Sequence, residues 1–352
     1  MRQALSGMLA LGLAALSLVH PARAQGPTPP PTQPSSQTSP QTPPPTSLPT
    51  SLQSPECIAP AKPGGGFDLT CKLARDALQQ AGVGVQPLRI SYMPGGVGAI
   101  AFDTLTTRRT AEEQTLVAFS SGSLLNLAQG RFGRHGLQDV RWLAAIGADY
   151  GIVLVSSQSP WRSLGDLLAA LKANPGKVTF AAGGTIGSQD WVKSALVAAA
   201  AGVDHKAMRF VAFEGGGEAT AALKAGHVQV YAGDASEVAD KLPPGGPFRV
   251  LAVMSEQRLP GLLAQVPTAR EQGVDIVWPS VRGFYMGPQV PDAAFLAWRT
   301  RFEQLMATPA FDSLRARHGL FPLAMTGAAL QAYLEAETRR DAALTERFGL
   351  RR

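Results

Sequence analysis

The sequence predicts an α/β protein built on parallel, doubly wound sheets. Three observations carry that reading. From Glu56 onward, short apolar strand patterns alternate with helix-spaced patterns, as in sheets with helices on both faces. Several of these strands end in glycine-rich turns just before a helix pattern, the position where such sheets bind ligands. The chain has 352 residues, 45% hydrophobic and 16% charged, which suits two lobes with a cleft between them.

The elements follow in order. Arg2, the apolar run Ala4 to Val19 and Ala22-Arg23-Ala24 read as a cleavable export signal over residues 1–24. The alternative, a membrane anchor, fits less well: the run is short and is broken by glycines, serines and His20-Pro21. No Cys follows the cleavage site, and no later stretch is long and apolar enough to span a bilayer. Residues 25–55 are Pro, Thr, Ser and Gln apart from Gly26, Leu48 and Leu52, with almost no large apolar residue and no charge, a composition that buries too little surface to fold and reads as a disordered spacer.

Cys57 to Ala61 is the first apolar stretch. The turn Pro63-Gly64-Gly65-Gly66-Phe67-Asp68 follows it, then a helix pattern from Leu69 to Gln80. Leu88 to Met93 reads as a strand, Pro94 to Gly98 as a second glycine turn, and a helix continues to about Arg108. Thr115 to Phe119 is a strand ending in Ser120-Ser121-Gly122-Ser123, and Ile152 to Val155 a connecting strand. Ser163 to Lys172 has helical spacing. Val178 to Ala181 precedes the turn Gly183-Gly184-Thr185-Ile186-Gly187-Ser188 and a helix from Trp191 to Ala201. Arg209 to Phe213 precedes Glu214-Gly215-Gly216-Gly217. Strand patterns at Val228 to Ala232 and Phe248 to Val253 follow, and the tail from Pro291 is mostly helical.

Glycine turns at helix starts expose unpaired N–H groups and the positive end of the helix dipole, so they suit an anion. Four of them point to a cleft lined with backbone donors. Thr185, Ser188, Ser121 and Ser123 add hydroxyls that suit a carboxylate, and each can instead cap its helix. Asp68 and Asp234 carry the same ambiguity: either contacts a ligand hydroxyl or caps and orders its turn. Phe284 and Tyr285 read as core.

The chain has two cysteines, Cys57 on the first strand and Cys71 early in the first helix. In an oxidising compartment such a pair forms a disulfide across the first β–α unit; the alternative is two buried thiols. Gly96-x-Gly98-x-x-Ala101 fits a dinucleotide pattern, but the next strand ends in Phe119-Ser120-Ser121 with no acidic residue for a ribose. No glycine turn carries the Lys of a phosphate loop, and G-x-S-x-G and H-E-x-x-H are absent. His20, His135, His205, His227 and His318 show no metal spacing. The reading therefore assigns no catalytic residue, no metal and no cofactor. The net charge of +6 is scattered without an aromatic–basic stripe, so nucleic acid is not an expected partner.

At the turn Pro63 to Asp68, the turn Pro94-Gly95-Gly96-Val97-Gly98-Ala99 and the segment Gly187-Ser188-Gln189-Asp190-Trp191, the chain resembles the Bug/TctC family. These are extracytoplasmic solute receptors of tripartite tricarboxylate transporters. The resemblance runs from Glu56 to the C-terminus. Glu56 to Cys71, Ser123 to Gly130 and Val211 to Glu218 are similar to the citrate-type tricarboxylate receptor. The chain departs from the pattern at Phe67, where many members have Thr, and at Trp191, where many have His. The resemblance implies a two-lobed, flytrap-like periplasmic binding protein of type II, each lobe a doubly wound sheet flanked by helices. Lobe one would combine 56–154 with 281–352, and lobe two would be 155–280. It implies ligand contacts at Gly65, Gly66, Phe67, Asp68, Ser121, Gly122, Ser123, Gly184, Thr185, Ile186, Gly187, Ser188 and Gln189, with Asp234 nearby.

The implied function is a monomeric periplasmic receptor, not an enzyme. It would capture citrate or a related polycarboxylate and present it to the membrane permease subunits. Two other readings stand beside it. The same fold can dock on a membrane sensor kinase, and an exported α/β enzyme would need a catalytic set that the sequence does not offer.

Overall fold

The structure, a computed structural model, describes residues 55–82, 86–242 and 245–351. The export signal and all but the last residue of the spacer lie outside the described residues. Cys57, Ile58 and Ala59 are completely buried in β1 (Glu56–Ala59), which leads through the first glycine turn into α1 (Gly66–Gln80). Next come β2 (Arg89–Tyr92), α2 (Ala99–Thr107), β3 (Thr115–Ser120), α3 (Ser121–Ala128) and β4 (Arg141–Ser156). The chain continues through α4 (Leu164–Ala173), β5 (Thr179–Gly183), α5 (Gln189–Ala200), β6 (Arg209–Phe213), α6 (Gly216–Lys224), β7 (Val230–Tyr231) and β8 (Phe248–Met254). It closes with β9 (Pro279–Met286), α7 (Asp292–Met306), α8 (Pro309–Arg317), β10 (Met325–Thr326) and α9 (Gly327–Arg347).

Local chemistry starts several helices. Ser120 caps α3 in a reciprocal capping box with Ser123, and Ser163 does the same for α4 with Asp166. Thr308 caps α8, whose first residue is Pro309, a residue preset for that position. Cys57 and Cys71 are joined in a disulfide with their Cα atoms 5.7 Å apart, tying β1 to α1.

The strands run in the order β2-β1-β3-β9-β4-β7-β5-β6, with β8 and β10 also paired to β4. The outer pairs are parallel: β1 with β2 and β3, and β5 with β6 and β7. The centre is antiparallel, which corrects the expectation of parallel sheets throughout: β9 runs against both β3 and β4, and β4 against β7 and β8. The reason is connectivity, since β4 leads out of the first βα section and β9 returns the chain to it. Pairing on β4 switches from β9 at Tyr150 to β8 at Gly151. The strand expected at Ile152 to Val155 is the end of a 16-residue strand. Its first part is rich in alanine and glycine and carries register shifts at Trp142/Ala144 and Ala145/Gly147, which erase the two-residue period.

The core packs on both sides of this sheet. Leu73, Phe284, Trp298 and Phe302 gather around α1 and α7. Leu167, Leu171, Phe180, Trp191 and Val192 gather around α4 and α5, and the C-terminal Phe348 and Leu350 join them. Phe284 and Tyr285 are buried, as the sequence predicts.

Candidate functional site

Each of the four glycine turns lies at a strand–helix junction. In the first, the Gly64 N–H donates to Asp68 Oδ2 at 2.7 Å, and the Gly66 N–H to Glu237 Oε1 at 3.0 Å. The protein's own carboxylates thus sit on these two donors. Asp68 is fully buried and also accepts from Lys72 Nζ at 2.8 Å and the Tyr92 hydroxyl at 2.9 Å, so it orders the turn. Glycine is required at Gly66, because a Cβ there would fall on the Arg282 guanidinium. In the second turn Val97 has φ 53°, the only positive φ of a non-glycine among the described residues, and its carbonyl accepts from Asn126 Nδ2 at 3.1 Å.

The turn before α5 is held by the segment that follows α3. Gln129 Nε2 donates to the Gly187 carbonyl at 2.8 Å, and Arg131 donates to the Ile186 carbonyl and to Thr185 Oγ1. Ser188 Oγ accepts the Trp191 N–H at 3.4 Å and so caps α5. Ser121 accepts from the Val281 N–H at 3.1 Å, and Ser123 from the Ser120 N–H at 3.3 Å. Both hydroxyls therefore bond to the protein's own backbone.

Parts of the four turns line two neighbouring spaces. A small cavity of about 40 Å³ is lined by Gly65, Gly66, Phe67, Gly122 and Gln189 from the expected set, together with Ser120, Asp190, Gly215, Gly216, Glu237 and Arg282. A larger cleft of about 290 Å³ is lined by Gly184, Thr185 and Ser188, with Gly96, Val97, Asn126, Arg131, Glu214 and Glu218. The structure thus brings part of the expected set together. Ile186 and Gly187 line neither space and bond through their carbonyls to Arg131 and Gln129, Asp68 is turned toward Lys72 and Tyr92, and Asp234 belongs to a buried ionic network.

That network is what sequence reasoning missed. Arg282 donates to Asp149 Oδ2 at 2.8 Å and to Asp234 Oδ2 at 2.7 Å. Lys193 Nζ reaches Asp234 Oδ1 at 2.5 Å, Asp190 Oδ1 at 3.0 Å and the Gly233 carbonyl at 2.8 Å. The Tyr231 hydroxyl lies 2.6 Å from Glu237 Oε2 and 3.1 Å from Asp190 Oδ2. Gln189 Nε2 donates to Asp234 Oδ2 at 2.8 Å, while the buried Gln189 Oε1 has no partner. Burial alone would push the Asp234 carboxyl up, but Lys193 and Arg282 outweigh it and hold it below its ordinary value. Glu237 has no ion-pair partner among the described residues. Burial, with the charges of Asp190 and Asp234 nearby, pushes its carboxyl up to about 7. Two signals for this network were present in the sequence: a lone Arg inside the apolar strand Val281 to Met286, and a lone Lys inside the apolar helix from Trp191.

Residues 81–350 match the family described as tripartite tricarboxylate transporter family receptor, TctC. The chain belongs to that receptor family. BugT of Bordetella pertussis is 26% identical over 299 residues, covering 84% of this chain and 89% of BugT. Among solved structures, the periplasmic binding protein BugD superposes with a TM-score of 0.74 at 17% identity, over 85% of this receptor and 98% of BugD. MatC of Rhodopseudomonas palustris, solved with bound malate, superposes with a TM-score of 0.71 at 18% identity, over 83% and 99%. At these identities the structural matches establish the fold, which is the two-lobed α/β fold of periplasmic solute-binding proteins.

Proposed function

We propose that this receptor is exported to the periplasm, captures citrate or a related tri- or dicarboxylate, and delivers it to the permease of a tripartite tricarboxylate transporter. The observation that carries the reading is the convergence of helix starts on one cavity. The first residues of α1, α3, α5 and α6, or the turns before them, line the small cavity together with the buried Arg282. Helix starts offer partial positive charge and N–H donors to an anion without the desolvation cost of a buried lysine. The malate bound to MatC agrees with this chemistry.

Loading needs motion. A cavity of about 40 Å³ holds a few waters at most, whereas small-molecule pockets begin near roughly 300 Å³. We assign 56–154 with 281–352 to one lobe and 155–280 to the other, hinged where β4 and β9 run between them. Lys62 to Glu218 at 2.7 Å and Gly66 to Glu237 are then closing contacts. Opening would join the small cavity to the larger cleft, whose lining includes the polar side chains of Thr185 and Ser188. The role is binding and release, with no chemical step on the ligand.

A thermal-shift panel of citrate, malate, succinate and adipate tests the ligand class. Millimolar concentrations of at least one acid should raise the melting temperature by a few degrees, as mass action requires for about 100-fold saturation. No shift with any acid would remove the carboxylate reading.

A further inference from the structure

We infer that Glu237 is an internal carboxylate that holds the ligand's place at the start of α1, and that an incoming ligand carboxylate displaces it with uptake of a proton. This rests on the receptor reading above.

Glu237 follows β7 in the section opposite α1, yet its Oε1 lies 3.0 Å from the Gly66 N–H. That N–H sits at the helix start, where an anion gains most from the dipole. The other oxygen is 2.6 Å from the Tyr231 hydroxyl. The glycines around the carboxylate are closely fitted. A Cβ on Gly216 would overlap it, and a Cβ on Gly65 would lie 3.6 Å from Oε1. A second anion therefore has no room on the Gly66 N–H while Glu237 remains there.

The surroundings decide what happens on displacement. Asp190 and Lys193 face Glu237 from α5, Asp234 from the turn after β7, Arg282 from β9 and Tyr231 from β7. Arg282 and Lys193 are engaged by Asp149, Asp190 and Asp234. Asp68, on α1, is turned toward Lys72 and Tyr92. A displaced, ionised Glu237 would add an unpaired charge to a buried site that already holds a ligand anion, and like charges at that range favour protonation. The raised carboxyl of the free receptor brings that protonation within reach at neutral pH. The unpartnered Gln189 Oε1, on the wall of the same cavity, is an acceptor for a hydroxyl or a protonated acid group.

The sign follows from linkage. The ligand raises the Glu237 carboxyl above its free value of about 7, so the complex holds more protons than the free receptor just above neutrality. Affinity should then fall as pH rises from 7 to 8.5, by up to about tenfold per pH unit.

Calorimetric titration of malate and citrate in buffers of different ionisation enthalpy counts the protons directly. At pH 7.5 the wild-type receptor should take up a substantial fraction of one proton per ligand. Glu237→Gln should take up none, and its affinity should stay level from pH 7 to 8.5. Thermal melting checks that the variant is folded, and the wild-type proton count stands without it. Binding with no proton uptake, or the same uptake in Glu237→Gln, overturns the inference while leaving the receptor reading intact. No binding of malate, citrate, succinate or adipate from pH 5.5 to 8.5 overturns both.

Discussion

Arg282 lies at the centre of the molecule. Its guanidinium is the cation between Asp149 and Asp234, and all three residues are at most 2% exposed. Breaking one partner out of such a group leaves charge uncompensated in a low-dielectric interior. Arg282→Ala should therefore lower stability by about 3–5 kcal/mol in urea denaturation. A loss below about 1 kcal/mol would show that water already reaches the network. The residue scale is also where the sequence was least legible. The glycine turns could be read because each is local. The Arg282–Asp149 contact joins residues 133 apart, and Lys193–Asp234 residues 41 apart, so neither pairing has a local signature. Asp234 was singled out, but only the fold shows that its neighbours are Arg282 and Lys193 rather than solvent.

At the scale of elements, the βα units were legible and the long central strand was not. Capping residues and glycines mark where α3 and α5 begin, whereas β4 hides behind small residues and bulges. The first βα unit also carries the disulfide, which closes a sequence separation of 14 residues. Loops of that length correspond to about 3 kcal/mol of chain entropy in the unfolded state. The double substitution Cys57→Ala and Cys71→Ala should lower unfolding free energy by about that amount, measured under oxidising conditions. An unchanged denaturation midpoint would mean that β1 and α1 are held by packing alone. Helix α9 runs between two hydrophobic clusters. Leu330 and Leu334 pack with Phe119, Leu124 and Trp142, while just beyond its far end Phe348 lies 5.9 Å from the Trp191 ring and 5.3 Å from the His205 ring, between centroids. The helix thereby reaches two clusters, a contact that helical periodicity alone cannot assign to a partner.

For the whole molecule, the anion-binding character inferred from four glycine turns takes a more specific form. Parts of all four turns line the two neighbouring spaces, yet Glu237 and Asp68 already occupy N–H groups of the first. On the proposed division into lobes, the buried Gly66–Glu237 and Gln129–Gly187 contacts would hold closure rather than the exposed Lys62–Glu218 pair, because solvent-screened pairs contribute little. The most direct test of the account is isothermal titration of the purified receptor with citrate, malate, succinate and adipate at pH 7. The account predicts saturable binding of at least one of them at one site per chain. Absence of heat with all four, alongside saturable binding of an uncharged or purely cationic solute, would contradict it.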